Sequence, residues 1–220
     1  MSDTGYIMAL DFAAGAFLLA AVVMLWRRQL RAMIRLFAGQ GAALAALVAI
    51  IGVHERQVEL IAVAGGLGLL RAGVLPYLVR RALGQAPAEQ RESSPAVNIA
   101  ASLLAAALLT LLAYAVTRPL VALDPSPTTA ILPVALAVVL IGFFALATRR
   151  RALSQVVGFL LLDNGITAVA FLATAGMPLI VELGVSFDLL LVVLVLQLLT
   201  VRLRTAFGHT DLDDLRELRD

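Results

Sequence analysis

Two charged residues stand where a chain this apolar can least accommodate them. Asp163 lies about halfway along the apolar run 152–175, beside Asn164 and one turn before Thr167, and Arg71 lies past the midpoint of the run 58–79. A charge at the centre of a bilayer-spanning helix costs on the order of 2.5–3.5 kcal/mol, so each needs a partner, a water cavity or a function. Helical spacing sets Asp163, Asn164 and Thr167 along one polar stripe. A carboxylic acid so placed can load and release a proton, because the neighbouring amide and hydroxyl can hydrogen-bond either form. Three roles are open to Asp163: a proton relay, a structural ion pair with Arg71, or a contact with a partner subunit.

The other polar positions carry weaker chemistry. Glu59 and Asp188 lie near the ends of their apolar runs, where water reaches them, and read as interfacial anchors. Asp11 is deeper, about six residues into the first run, and is either cavity-facing or an anchor. Gln40, Asn98 and Gln197 are the kind of residue that joins helices by hydrogen bonds within a membrane. His54 lies in a tight turn beside Glu55 and Arg56, and His209 lies in the tail; neither has a second metal ligand near it in sequence. Cysteine is absent, so thiolate metal sites and disulfides are excluded, and a metal centre is not expected. No nucleophile with a base and no phosphate loop is present, so the expectation is a non-enzymatic chain with no cofactor.

The elements that must position these residues are set by composition. The chain has 220 residues, 61% of them hydrophobic and 15% charged, with a mean hydropathy of +0.97. A soluble domain of this makeup could not cover its surface with polar groups. Apolar runs fall at 6–26, 32–53, 58–79, 96–117, 129–147, 152–175 and 178–201. Each is close to the roughly 20 residues a spanning helix needs, and none shows the alternation of a barrel strand. The fold expected is therefore an all-α integral membrane protein of about seven transmembrane helices.

All 17 basic residues are arginine, and their distribution sets an expected orientation. The turns after the first, third and fifth runs, together with the tail, hold 14 arginines. The opposite side has Arg56 and Arg118, and Arg71 is left within a run. The positive-inside rule then places the C-terminus in the cytoplasm and the N-terminus outside, in a bacterial inner membrane. Because Asp3 precedes the first run and Arg27, Arg28 and Arg31 follow it, that run is expected to be a retained helix and not a cleaved signal. A net charge of +2 gives no reason to expect nucleic acid.

Two longer connections, 84–95 and 118–129, divide the chain. The expected organisation is a three-helix unit over 1–83, loops and a linking helix over 84–128, a second three-helix unit over 129–201, and an acidic tail over 202–220. Both units contain an amide followed by glycine in a spanning run, Gln40-Gly41 and Asn164-Gly165, a pattern consistent with an old parallel duplication. Gly65, Gly66, Gly68 and Gly73 around Arg71 would let a neighbouring helix approach closely.

The stretch 148–176, TRRRALSQVVGFLLLDNGITAVAFLATAG, resembles the second helix of the small K-type membrane subunit of complex I, with an arginine turn, a G-x-x-x-x-x-N helix and an alanine-rich end. The tail 210–220, TDLDDLRELRD, resembles that subunit's acidic-hydrophobic C-terminus. With the phrase LLLDNGI and the segment 176–196, GMPLIVELGVSFDLLLVVLVL, the chain looks closer still to component E of the hydrogenase-4 type membrane complexes. The likeness covers 148–220, and the N-terminal half only by length and helix count. It departs from the K-type pattern at two positions. Leu160 stands where that subunit carries one membrane glutamate, and Val192 falls near the other. Asp163 and Asp188 are the nearest acids, each displaced by about one turn.

The resemblance implies a non-catalytic membrane-arm subunit of a complex I-like hydrogenase or formate hydrogenlyase. Its partners would be large antiporter-like membrane subunits, and it would help couple electron transfer to proton or sodium movement. Asp163, Arg71, Asp188, Glu59 and Asp11 are the relay candidates, supported by Asn164, Thr167 and Gln40. The alternatives are a C-type-like subunit of a multisubunit cation/proton antiporter and a stand-alone secondary transporter. The amphipathic tail, with Leu212, Leu215 and Leu218, favours a subunit, since a self-contained carrier has little need of a docking segment.

Overall fold

The computed structural model describes residues 3–83, 97–149 and 152–173, all of them helical or in short connections. Helix α1 (Asp3–Trp26) is followed by α2 (Leu30–Glu55). A third span consists of α3 (Val58–Leu67), a π-helical turn (Gly68–Val74) and α4 (Leu75–Leu83). Then come α5 (Ile99–Leu123), a 3-10 turn (Thr129–Ile131), α6 (Leu132–Thr148) and α7 (Ala152–Ala173). Among the described residues six helical stretches are long and apolar enough to cross a membrane. The seventh run expected at 178–201, with Asp188, Gln197 and the tail, lies outside the described residues. So does the whole of the 84–95 connection.

Helices are the only open-ended element that satisfies its own backbone in a bilayer, and the joints between them are short. Arg56 closes α2 with φ of 57°, the left-handed conformation that ends a helix, and donates its N–H to the Gly52 carbonyl. A Cβ on Gly52 would stand 2.8 Å from the Leu60 Cβ, so the α2–α3 hairpin closes only because that position has no side chain. The expected loop 118–129 begins later than the sequence suggested. Helix α5 runs through Arg118 and Pro119 to Leu123, so the proline is an interior residue of this helix and does not end it.

Helix α2 packs against α1, α3, the π turn and α7, while α6 packs against α7, α5 and α1. The first helices of the chain and α6–α7 therefore form one contiguous core, with Phe17, Phe37, Leu44, Ile141 and Phe171 fully buried within it. Helix α6 meets α7 backbone to backbone. A Cβ on Gly142 would lie 2.6 Å from the Leu162 backbone, and one on Gly165 would lie 2.6 Å from the Val139 nitrogen. Such contacts replace the hydrophobic drive that lipid-facing helices lack.

Each end of the bundle has its own clasp. At one end Tyr6 stacks on His54 with centroids 3.9 Å apart, and its hydroxyl shares a 3.0 Å hydrogen bond with Thr128 Oγ1, which ties α1 to α2 and to the approach to α6. At the other end Arg149 donates through Nη2 to the carbonyls of Met24, Leu25 and Arg27 at 3.2–3.3 Å. The sequence reading counted Arg149 among the surface arginines of one side. It is instead 5% exposed and supplies donors to the carbonyls that the end of α1 leaves open.

A buried polar node as the candidate functional site

The third span brings Arg71 to the bundle interior. Its buried stripe runs Leu60, Val63, Ala64 and Leu67, and α-helical spacing carries that stripe on to Arg71. Continued α-helix would next bury Val74 and Leu78. The π turn holds one extra residue, so Leu75 and Val79 are buried instead, at 0% and 2% exposure, while Arg80 and Arg81 stay exposed. Pro76 supplies a local cause: its ring would clash with the carbonyl of Ala72 in an α-helix, and the wider turn relieves this.

Three of the glycines expected to permit close approach, Gly65, Gly68 and Gly73, face no close neighbour among the described residues. Cβ atoms added to Gly65 or Gly73 would meet nothing within 4 Å, and one on Gly68 would make ordinary contact with Ala45. The tight position is Gly41 on α2, where a Cβ would lie 2.7–2.9 Å from the backbone and Cβ of Arg71. A glycine lacks the atom that would push its neighbour away, and the partner across the interface decides which glycine matters.

Helix α7 presents Asp163, Asn164 and Thr167 toward Arg71. Arg71 Nη1 donates to Asp163 Oδ2 in a buried ion pair. The same nitrogen donates to Asn164 Oδ1 at 2.5 Å, and Nη2 donates to Thr167 Oγ1 at 2.7 Å. Asn164 Nδ2 in turn donates to Gln40 Oε1 at 3.0 Å. The two amide–glycine pairs noted in the sequence thus face each other across the α2–α7 contact. Arg71, Gln40 and Asn164 are 0% exposed, Thr167 4% and Asp163 8%.

Chemistry divides these groups into charged and neutral. Arginine stays protonated in proteins, so Arg71 is a permanent cation that can only donate. It therefore orients Asn164 with its oxygen inward and its NH2 toward Gln40. Neither amide carries a charge, so Asp163 is the one anionic partner that the node offers Arg71.

The remaining sequence candidates stand apart from this node. Glu59, at the start of α3, and Asp11, two turns into α1, are both exposed. Asp188 lies outside the described residues. Asn98, expected to join helices, instead caps α5, with Oδ1 accepting from the Ala101 N–H at 2.7 Å. Among the described residues no cluster of side chains is arranged to hold a metal ion. Sequence reasoning missed the roles of Arg149 and Tyr6. Arg149 is hidden as the first of three consecutive arginines, and no local signal marks Tyr6 as the partner of His54 and Thr128.

No family model and no solved structure matches the chain. It is 31% identical over 116 residues to hydrogenase-4 component E of Escherichia coli and of Shigella flexneri, covering 53% of this chain and 54% of those relatives. The alignment thus spans about half the length of those proteins, which makes the relation a distant one. The chain is also 54% identical over all 220 residues to the uncharacterized protein Rv0085 of Mycobacterium tuberculosis, with both chains covered completely. A helical chain with a charged node at the core of its described bundle, matched end to end at this identity, belongs to the same family as Rv0085 and is a distant relative of hydrogenase-4 component E.

Proposed function

We propose that this protein is a non-catalytic membrane-arm subunit of a complex I-like assembly of the hydrogenase or formate hydrogenlyase type, contributing a station for proton or sodium movement coupled to electron transfer in its partners. The observation that carries the reading is the buried node of Arg71, Asp163, Asn164, Thr167 and Gln40, and the distant similarity to hydrogenase-4 component E supports the kind of assembly. In this reading Asp163 alternates between a carboxylate that neutralises Arg71 and a protonated acid. While Asp163 is protonated, the bonds from Arg71 to Asn164 and Thr167 hold the guanidinium in place, so the site keeps its geometry through both states. The arginine distribution supports an inner-membrane orientation with the N-terminus outside.

The test is Asp163→Asn in the intact membrane complex, reconstituted into vesicles and assayed for ion movement during turnover. The variant keeps shape and hydrogen bonding but cannot titrate. Assembly is expected to survive while coupled ion movement falls about a hundredfold or more, in the range that loss of a proton-transfer group produces, and Asp163→Glu is expected to retain much of the activity. Normal pumping by an assembled Asn variant would leave Asp163 with a structural role only.

A further inference from the structure

The oxygens of the buried node are turned toward one fixed cation. Asp163 Oδ2, Asn164 Oδ1 and Thr167 Oγ1 all accept from Arg71, and Gln40 Oε1 accepts from Asn164 Nδ2. Asp163 Oδ1 is left as the one side-chain oxygen with no donor inside the node. Arginine keeps its charge at any ordinary pH, so the oxygens it holds are not released by loss of the donor's proton. The guanidinium is also held in position. Arg71 is fully buried, and Gly41 lies so close that a Cβ there would stand 2.7–2.9 Å from its backbone and Cβ, which fixes where the side chain starts.

Sodium and the proton make different demands on such a site. A metal cation gives up its water only where several oxygens converge on it in exchange. The node offers it Asp163 Oδ1, beside a permanent positive charge, while the other oxygens are already engaged by Arg71 and Asn164. Sodium would remain an ion in an apolar bundle without a shell to solvate it. A proton needs one lone pair on one oxygen. Bound there it leaves a neutral acid that requires no solvation shell, and the bonds from Arg71 to Asn164 and Thr167 stay as they are.

We propose that Arg71 sets the ion selectivity of this node: while its guanidinium occupies the node's oxygens, Asp163 exchanges protons and binds neither sodium nor another metal cation. The proposal rests on the reading of the node as an ion station, and adds which ion the station handles and which residue makes the choice. Taking the guanidinium away would leave carboxylate, amide and hydroxyl oxygens of Asp163, Asn164 and Thr167 facing the volume it filled. Arg71→Ala is therefore expected to convert the node into a sodium site.

The test needs no transport. The unfolding equilibrium of the full-length chain is measured in bicelles by steric trapping, with sodium chloride exchanged for choline chloride at constant ionic strength. The parent is expected to be equally stable in both salts. A sodium-specific stabilisation of the parent that Asp163→Asn removes overturns the proposal. Arg71→Ala is expected to gain a sodium-specific stabilisation, about tenfold in the folded-to-unfolded ratio once sodium stands at about ten times its dissociation constant, and adding Asp163→Asn is expected to remove it. A folded Arg71→Ala variant with no sodium response overturns the role given to Arg71. If that variant does not fold, the parent complex in vesicles gives a second measurement. During turnover, proton uptake is expected to be unchanged when choline replaces sodium, and radioactive sodium uptake that Asp163→Asn abolishes overturns the proposal. An Asp163→Asn complex that moves ions as the parent does overturns the station reading instead, and the salt comparison still decides whether Arg71 keeps sodium out of the node.

Discussion

Removing the two charges of the node one at a time and then together gives an asymmetric result whose size follows from their burial. Asp163→Leu leaves the Arg71 guanidinium, 0% exposed, without a counter-ion and unable to lose its proton. Breaking a buried pair from one side costs about 3–5 kcal/mol, and about 4 is expected here. Arg71→Leu leaves a carboxylate that escapes by taking up a proton, but Asn164 and Thr167 each lose a donor, at about 1 kcal/mol apiece. Arg71→Leu is therefore the milder single change. The double variant loses those same two hydrogen bonds and no longer buries an unpaired charge, so it is expected at about 2 kcal/mol below the parent. Simple addition would put it at about 6 or more, so the two sites couple by about 4 kcal/mol, close to a thousandfold in the unfolding equilibrium. Reversible unfolding in bicelles, followed by steric trapping, measures all four corners of the cycle. A double variant as unstable as the summed singles, within about 0.5 kcal/mol, would refute the reasoning.

Gly41→Val should displace Arg71, since even a Cβ there would stand 2.7–2.9 Å from the Arg71 backbone, and a loss of about 1–3 kcal/mol in the same unfolding assay is expected. Arg149→Leu removes the donor that serves three carbonyls at the end of α1, and a destabilisation of about 2–3 kcal/mol is expected, with Arg149→Lys recovering only part because a single ammonium lacks the planar fork. Orientation can be read by placing single cysteines at Ser94 and at Ser126 in this cysteine-free chain. An impermeant reagent applied to whole cells should label Ser126→Cys and not Ser94→Cys, and the reverse pattern would invert the topology.

Much of the architecture was legible from composition. Apolar runs of spanning length, separated by arginines and prolines, mark helices because a bilayer offers the backbone no other hydrogen-bond partner. Six of the seven runs correspond to described helical stretches of spanning length, with ends shifted, as where α5 continues past Pro119 to Leu123. Asp163 and Arg71 stood out for the same reason, since each is a charge in a place where charge is expensive. Single-chain periodicity also set Asn164 and Thr167 on the same stripe as Asp163.

The sequence alone determined which residues are anomalous, because the cost of a charge or an amide in an apolar run depends only on the residue and its neighbours along the chain. Only the tertiary structure decided what each anomaly meets. Arg71 and Asp163 lie 92 positions apart, and their pairing required a π turn on one helix, a glycine on a second and the close seating of α7 on α6. The same holds for Arg149, whose run of three arginines looks uniform until the end of α1 is placed beside the first, and for the glycines, where Gly41 and not Gly65 or Gly73 faces a neighbouring backbone. Contacts between helices depend on rotation and depth of packing, and a one-residue change in helical phase turns a side chain by about 100°, which no local spacing in the sequence can specify.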